Sequence, residues 1–425
     1  MLNRIIEQIK ALGCSVWELR EETVKGWEFY FIRHALDQNR VTEVRSFPVT
    51  LYRPLEDGQL GSASGVLSPT DTEEQLKKTL SDIYFQASLV KNPAYRLNDR
   101  PVVSPPLQTV DPAAIAGDFI SAMRSVRETE DADVNSYEIF VKEITRHFVN
   151  SNGVEYTVRF PSSEIEVVVN ARDGAHEIEV YRDFCSGTCD ADKLRRDVEK
   201  ALRYGRDRLL AEPTPRLSSI DVLFSTDDAL SFYHWYFAYK TETEMIHCKL
   251  SDWTVGKAIA GNMSGDKLTL KAVAALKNSS RDYPIDKEGA AIRDRVLIRD
   301  GVVEALWGPR QFSQYLGLED SFQAENFVVE GGARTEAELR QGDYLEVVEF
   351  SAFDVDPVSG DLAGEIRLGY LHRDGKVQIV TGGSVSGQMA DAIPTMAFSA
   401  ETEQYDTFVV PRVTRLQNLK VTGVI

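Results

Sequence analysis

Cysteine is scarce in this chain. Four thiols, Cys14, Cys185, Cys189 and Cys248, are spread over 425 residues, too few for a disulfide scaffold and unneeded at this length. That usage fits a reducing compartment. Basic charge is also short: 48 Lys and Arg stand against 66 Asp and Glu, a formal charge of -18. Such a chain repels a phosphate backbone and offers no basic stripe for counterion release, so direct nucleic-acid binding is disfavoured. No apolar run approaches the roughly 18 to 20 residues that cross a bilayer. At the start, Ile5, Ile6, Ile9 and Leu12 have helical spacing, but Glu7 and Lys10 interrupt the apolar stretch a signal peptide would need. The expectation is a cytoplasmic, water-soluble protein with no membrane partner. Internal repeats and low-complexity tracts are absent too.

What is present is a globular composition, 43% hydrophobic, long enough for two or three cores. From Val16 to Gly65 short apolar runs with turns at Asp57-Gly58 and Gly61 predict a small sheet. A helix follows, with Asp71 and Glu74 as a capping box and Leu76, Leu80, Ile83 and Ala87 as its stripe. Pro93, Pro101, Pro105 and Pro106 then mark a linker. Asp111-Pro112 opens a second helix, with Ile115, Phe119, Met123 and Val126 inward. The runs 139–149, 154–160, 165–169 and 176–181 read as strands, with turns at Asn152-Gly153 and Asp173-Gly174. A charged amphipathic helix spans 191–211, burying Leu194, Val198, Ala201 and Leu209, and Pro213 and Pro215 stop it.

From Ile220 onward the pattern is mostly strand, apart from one aromatic helix. The clearest part is the last third, where 342–347, 354–361 and 369–376 give consecutive antiparallel strands ended by Gly, Pro or Asp turns. The predicted fold class is α+β, with N-terminal mixed α/β sheet domains before a mostly antiparallel, sandwich-like or barrel-like C-terminal domain. The expected units are 1–100, 101–215 and 216–425.

Few residues suggest chemistry on their own. Cys185 and Cys189 are spaced C-x-x-x-C, one residue longer than redox or zinc-knuckle spacing, and have no companion pair. Two unconnected thiols at a strand end is the plainer reading. His247-Cys248 suggests a Cys/His nucleophile, but adjacent residues rarely point at each other. Asp354, Asp356 and Asp361, with Glu365 in the twelfth position, partly match a calcium loop. Pro357 and the lack of Gly at the sixth position break that pattern, leaving a turn with solvated carboxylates.

The order of several blocks resembles the TldD/PmbA family over some 400 residues. These are Asp57 to Ser64, the hairpin phrase His147 to Val154, Asp286-Lys287-Glu288-Gly289, Val296 to Gly301, Tyr315-Leu316-Gly317, and Val410 to Gly423. Family members are described as zinc-dependent peptidases and their partner subunits, long labelled modulators of DNA gyrase. The resemblance implies that an active member carries H-E-x-x-x-H and a late Cys, which hold zinc while the Glu takes the proton of bound water. The matching stretch here is Leu230 to Tyr239. With His234 in the first ligand position, Trp235 replaces the Glu and Tyr239 the second His, and 400–406 contains no thiol. The motif is degenerate. No catalytic or metal-ligating residue is assigned, and the resemblance points to the PmbA (TldE) side of the family.

His234 on an aromatic helix is then a core or interface histidine, with a relic metal site as the sharper reading. The rings of Phe232, Tyr233, Trp235, Tyr236, Phe237 and Tyr239 exceed what one helix face buries. Trp235 and Tyr236 are therefore candidate interface residues. The leading expectation is a subunit with no cofactor of its own. It would pair with a TldD-like, zinc-bearing paralogue in a peptidase of flexible or unfolded peptides. A homodimeric, self-associating scaffold is the alternative. A hydrolase or metalloenzyme with its site relocated around His234, His247 and Cys248 comes third.

Overall fold

The computed structural model describes residues 1–318 and 321–424. Ile425, the expected end of the third unit, lies outside the described residues. Helix α1 (Leu2–Ala11) leads into a hairpin of two long strands, β1 (Val16–Ile32) and β2 (Ala35–Pro54), where the sequence suggested several short ones. Strand β3 (Gln59–Leu67) and helix α2 (Glu73–Ala87) follow. The capping box of α2 sits one residue beyond its predicted place: Thr72 accepts from the Gln75 amide and donates its own N–H to the Gln75 side chain. Asp71 is drawn off because its carboxylate accepts from the Ser68 amide in the preceding turn.

The proline-rich stretch is tied down. After β4 (Asn92–Pro93), Leu97 and Asn98 are buried, and the Asn98 carbonyl accepts from the side-chain amide of Asn150 at 2.7 Å. Helix α3 (Pro112–Arg124) starts as predicted, with Asp111 accepting from the Ala114 amide. Strands β5 (Ala132–Asn150), β6 (Glu155–Arg172) and β7 (Glu177–Ser186) and helix α4 (Ala191–Leu209) complete this half. The runs 154–160 and 165–169 are one strand rather than two, because the Pro161-Ser162-Ser163 step keeps its pairing with β5.

These strands form a single sheet ordered β4-β3-β2-β1-β5-β6-β7. It crosses the expected boundary near residue 100, since β1 pairs with β5 from Glu18↔Asn150 to Ile32↔Ser136. Two hydrophobic cores sit on it. One packs α1 and α2 on Trp17, Leu19, Phe47 and Leu51; the other packs α3 and α4 on Ile139, Val141, Ile165 and Val167. Strand β6 serves two masters through its two-residue alternation. Tyr156, Val158 and Phe160 join the core of the C-terminal half, while Ile165, Val167 and Val169 join that of the helices.

In the C-terminal half the strands 344–355, 217–224, 414–422, 384–388 and 361–373 pair in that order. The first also pairs with the last, closing a five-stranded barrel. Beside it lies a six-stranded sheet holding 302–303, 295–299, 270–273, 326–329, 408–411 and 402–405. The α+β class with a mostly antiparallel, barrel-like C-terminal domain is what the molecule has. The Asp374-Gly375 turn has φ of 52° and 71°, the positive pair that a tight hairpin requires. No helix among the described residues is long and apolar enough to cross a membrane.

Candidate functional site

The aromatic segment leaves the barrel strand 217–224 through the short turn Asp227–Ala229 and one α-turn, Leu230–Phe232, then widens into a π-helix over Tyr233–Ala238. In an α-helix residues five apart lie about 140° from each other around the axis. The i→i+5 bonding of a π-helix brings them to one side. His234 and Tyr239, which the family resemblance sets against the motif's two histidines, therefore share a face, with ring centroids 5.8 Å apart and edge to face. Phe232, Tyr233 and Phe237 are buried, and the Tyr233 hydroxyl meets that of Thr414 at 2.7 Å. Trp307 Nε1 donates to the Ala238 carbonyl and to Thr241 Oγ1.

The His234 ring stacks on Trp235 at 4.4 Å and lies 4.9 Å from Phe408 and 6.4 Å from Phe327. Burial lowers its pKa, so it is neutral at neutral pH. It looks into a cavity of about 340 Å³ walled by Ser162, Ser163 and Glu164 of β6, Cys185 of β7, and the segments 280–281, 324–327 and 406–408. The segment 400–406, in which the family resemblance places a late thiol, reaches this cavity through Asp406.

Two of the nearby carboxylates, Asp406 and Glu325, are already engaged. Asp406 accepts the amide and hydroxyl of Ser280, both at 2.7 Å, and Glu325 accepts from the Tyr283 hydroxyl at 3.0 Å beside Arg281 and Lys287. Cys185 is pushed up to about 12 by burial and by Glu164, so its thiol stays protonated. One neutral imidazole with an indole and a phenol at the other motif positions does not supply the donor set of a catalytic zinc. Among the described residues, no group of three or more His, Cys, Asp and Glu is placed to hold a metal. A second cavity, of about 330 Å³, shares Cys185 and Asp406 with the first and extends along α4 past Lys193, Asp197 and Tyr405.

The two interface candidates separate. Tyr236 is 6% exposed and packed against Phe237, Trp253 and Gly360, so it belongs to the chain's own core. Trp235 is 47% exposed. His247 packs on Phe312 and Tyr315 and does not line the His234 cavity; Cys248 beside it is exposed. Cys185 and Cys189 are free thiols, and burial pushes Cys189 up to about 12 as well. The Asp354 to Asp361 segment is a hairpin turn in which Asp356 accepts the amides of Val358 and Ser359.

Sequence reasoning missed a second polar region. Glu18 is pushed up to about 8 by burial and then by Glu288, and it accepts from the Tyr52 hydroxyl. Asp286 is fully buried, yet accepts the amides of Glu288, Ala290 and Gln323 at 2.8 to 2.9 Å. An acidic residue between Trp17 and Leu19 on a strand was the available signal.

The architecture is a long N-terminal sheet joined to a barrel domain whose aromatic π-helix faces a cavity. Residues 218–423 match the model described as the PmbA/TldA metallopeptidase C-terminal domain. The full-length fold is shared with TldE from Thermococcus kodakarensis (TM-score 0.75, 16% identity, covering 99% of this chain and 100% of that one). It is shared also with candidate modulators of DNA gyrase from Thermotoga maritima (0.78, 13%, 99% and 99%) and Bacteroides thetaiotaomicron (0.80, 16%, 99% and 98%). A protein named metalloprotease from Methanothermobacter thermautotrophicus is 23% identical over 227 residues, 51% of this chain and 48% of that one, so the chain spans about half the length of this curated relative. Residues 218–423 belong by sequence to the PmbA/TldA C-terminal domain family, and the whole chain shares the fold of these solved structures.

Proposed function

We propose that this chain is the TldE/PmbA-like partner in a TldD/TldE-type metallopeptidase assembly, holding flexible or unfolded peptide while a motif-bearing paralogue carries the zinc. The observation behind this reading is the ring cage at His234. A helix with the motif's spacing and an adjoining cavity is kept, while the other motif positions hold Trp235 and Tyr239. The two neighbouring cavities, with aromatic faces, hydroxyls and carboxylates, suit a chain of mixed polarity. Half-exposed Trp235 is the residue we assign to the paralogue contact. Cytoplasmic location and no direct DNA contact follow from the thiol usage and the charge of -18.

The test is co-expression with a paralogue carrying an intact H-E-x-x-x-H. The pair should copurify and cleave unfolded peptide in a chelator-sensitive way, while the isolated chain holds no stoichiometric zinc and cleaves nothing. Zinc near one per isolated chain, lost in His234→Ala, overturns the reading. A self-associating binding protein of the same fold is the alternative, since β3 pairs with β2 only from Phe47 to Pro54 and leaves the rest of that edge open.

A further inference from the structure

The cavity along α4 carries polar groups that the His234 site does not use. It lies where the edge strand β7, helix α4, the turn after the barrel strand 217–224 and the segment 404–406 meet, and Phe119, Phe184, Leu194 and Leu230 give it apolar walls. Three basic residues reach it, and each is taken. Arg182 donates to the Tyr181 carbonyl and lies 4.0 Å from Glu349, while Lys193 and Lys200 pair with Asp197 at 2.7 and 3.1 Å. Of the five aspartates on its walls three are engaged as well: Asp197 by these lysines, Asp190 by the Lys193 amide and Asp406 by Ser280. Asp183 and Asp227 remain, with no hydrogen bond or ion pair to the side chain of another described residue. Tyr204, 8% exposed, also lines the cavity; Arg203 lies over its ring, and its hydroxyl makes no hydrogen bond of ordinary geometry.

We propose that this cavity takes a basic side chain, arginine or lysine, of a peptide whose neighbouring residues occupy the His234 cavity. The proposal rests on the reading that the chain holds peptide, and it names the class of peptide. A ligand here has to bring positive charge, because the cations on the wall are spent and two carboxylates are not. It has to bring hydrocarbon for the apolar walls, and N–H donors for the carboxylates and the phenol. A basic side chain combines the three, since its stem lies along apolar surface while its head stays with the polar groups. A bare metal ion would leave the apolar walls unused.

Two further observations favour a polypeptide as the bearer of that charge. The cavities share Cys185 and Asp406 on their walls, so one extended peptide can place neighbouring residues in both. The sheet beside them is acidic on the face in question. Glu164 is set against Cys185 and Glu166 against Asp183 across β6 and β7, and the two-residue alternation puts all four on one face. With a formal charge of -18 on the chain, that face draws in cationic peptides before contact and turns acidic ones away.

The test is titration calorimetry of the full chain with short, capped Gly/Ser peptides that carry one Phe beside one variable residue: arginine, norleucine or glutamate. Wild type should bind the arginine peptide about tenfold more tightly than the norleucine peptide and the glutamate peptide weakest, with the arginine preference shrinking as salt is raised. Asp183→Asn combined with Asp227→Asn should remove that preference and leave the norleucine affinity within about twofold of wild type. Glu7→Gln, which removes a charge exposed on α1, should keep the preference. If the double variant fails to fold, Asp183→Asn alone, which loses no native partner, should cut the preference about threefold. Equal affinity for the arginine and norleucine peptides, or a preference that survives in the Asn variants, overturns the proposal and leaves the peptide-holding reading standing. A wild type that binds none of the peptides overturns both.

Discussion

Two polar interiors of this molecule contrast. Around His234 lie a neutral imidazole among rings, Asp406 hydrogen-bonded to Ser280, and Glu325 held by Tyr283, Arg281 and Lys287. In the seam between the long sheet and the C-terminal half, Glu18, Asp286 and Glu288 crowd together, and each is raised mainly by burial. The strongest perturbation is thus away from the cavity that resembles an active site. Shifted titration is a pointer to function only where a cleft and an unengaged partner accompany it. Here the seam carboxylates hold backbone: Asp286 fastens 286–290 and 323, Glu288 accepts from the Arg310 amide, and the Tyr156 hydroxyl donates to the Asp286 carbonyl.

The largest expected effect comes from breaking the seam. Asp286→Ala leaves three amide donors without their acceptor and should cost about 3 kcal/mol or more in denaturant unfolding. A loss below about 1 kcal/mol would mean that the seam is not structural. Next is pH. With Glu18 raised from its ordinary 4.5 to about 8, the folded state keeps a proton that the unfolded chain releases. Its contribution is therefore full below about 4.5 and is lost as pH rises to about 8, with a slope of up to about 1.4 kcal/mol per pH unit. Melting temperatures across that window should fall less steeply in Glu18→Gln; an unchanged profile places the titration elsewhere. On the other side of the contrast, His234→Ala should cost about 1 kcal/mol, since the ring packs but has no hydrogen bond to any described residue. It should also leave metal content untouched by elemental analysis. Smallest is Trp235→Ala, with about 0.5 kcal/mol in the isolated chain, because half of the indole already meets water. A much larger loss would make Trp235 core rather than contact surface.

Much of this was legible where local chemistry decides. Helices α3 and α4 are written in their caps and stripes, Asp111-Pro112 and Leu194, Val198 and Ala201. The C-terminal hairpins are written in their Asp-Gly turns. At α2 the two overlapping patterns, Asp71 with Glu74 and Thr72 with Gln75, are equally good caps, and a hydrogen bond from the Ser68 amide to Asp71 chose between them. The pairing of β1 with β5 was not legible, since their contact spans the proline-rich stretch and no local pattern encodes a partner so far away. The π-turn was hidden too. Only the five-residue spacing of the degenerate motif hinted that His234 and Tyr239 share a face. At the site, the exposure of Trp235 and the burial of Tyr236 depend on Trp253 and Gly360, which no periodicity within 230–239 could reveal.

The closed barrel has a consequence for how the molecule is made. Its strand 217–224 is held on one side by 344–355 and on the other by 414–422, with Leu416 against Val222. During synthesis the first strand of the barrel must therefore wait, one edge bare, until nearly the whole C-terminal half has left the ribosome. Contacts so distant in sequence form slowly, and a waiting strand edge is sticky. The N-terminal sheet can assemble while this happens, so a nascent chain would pass through a stage with a finished front and an unsealed back.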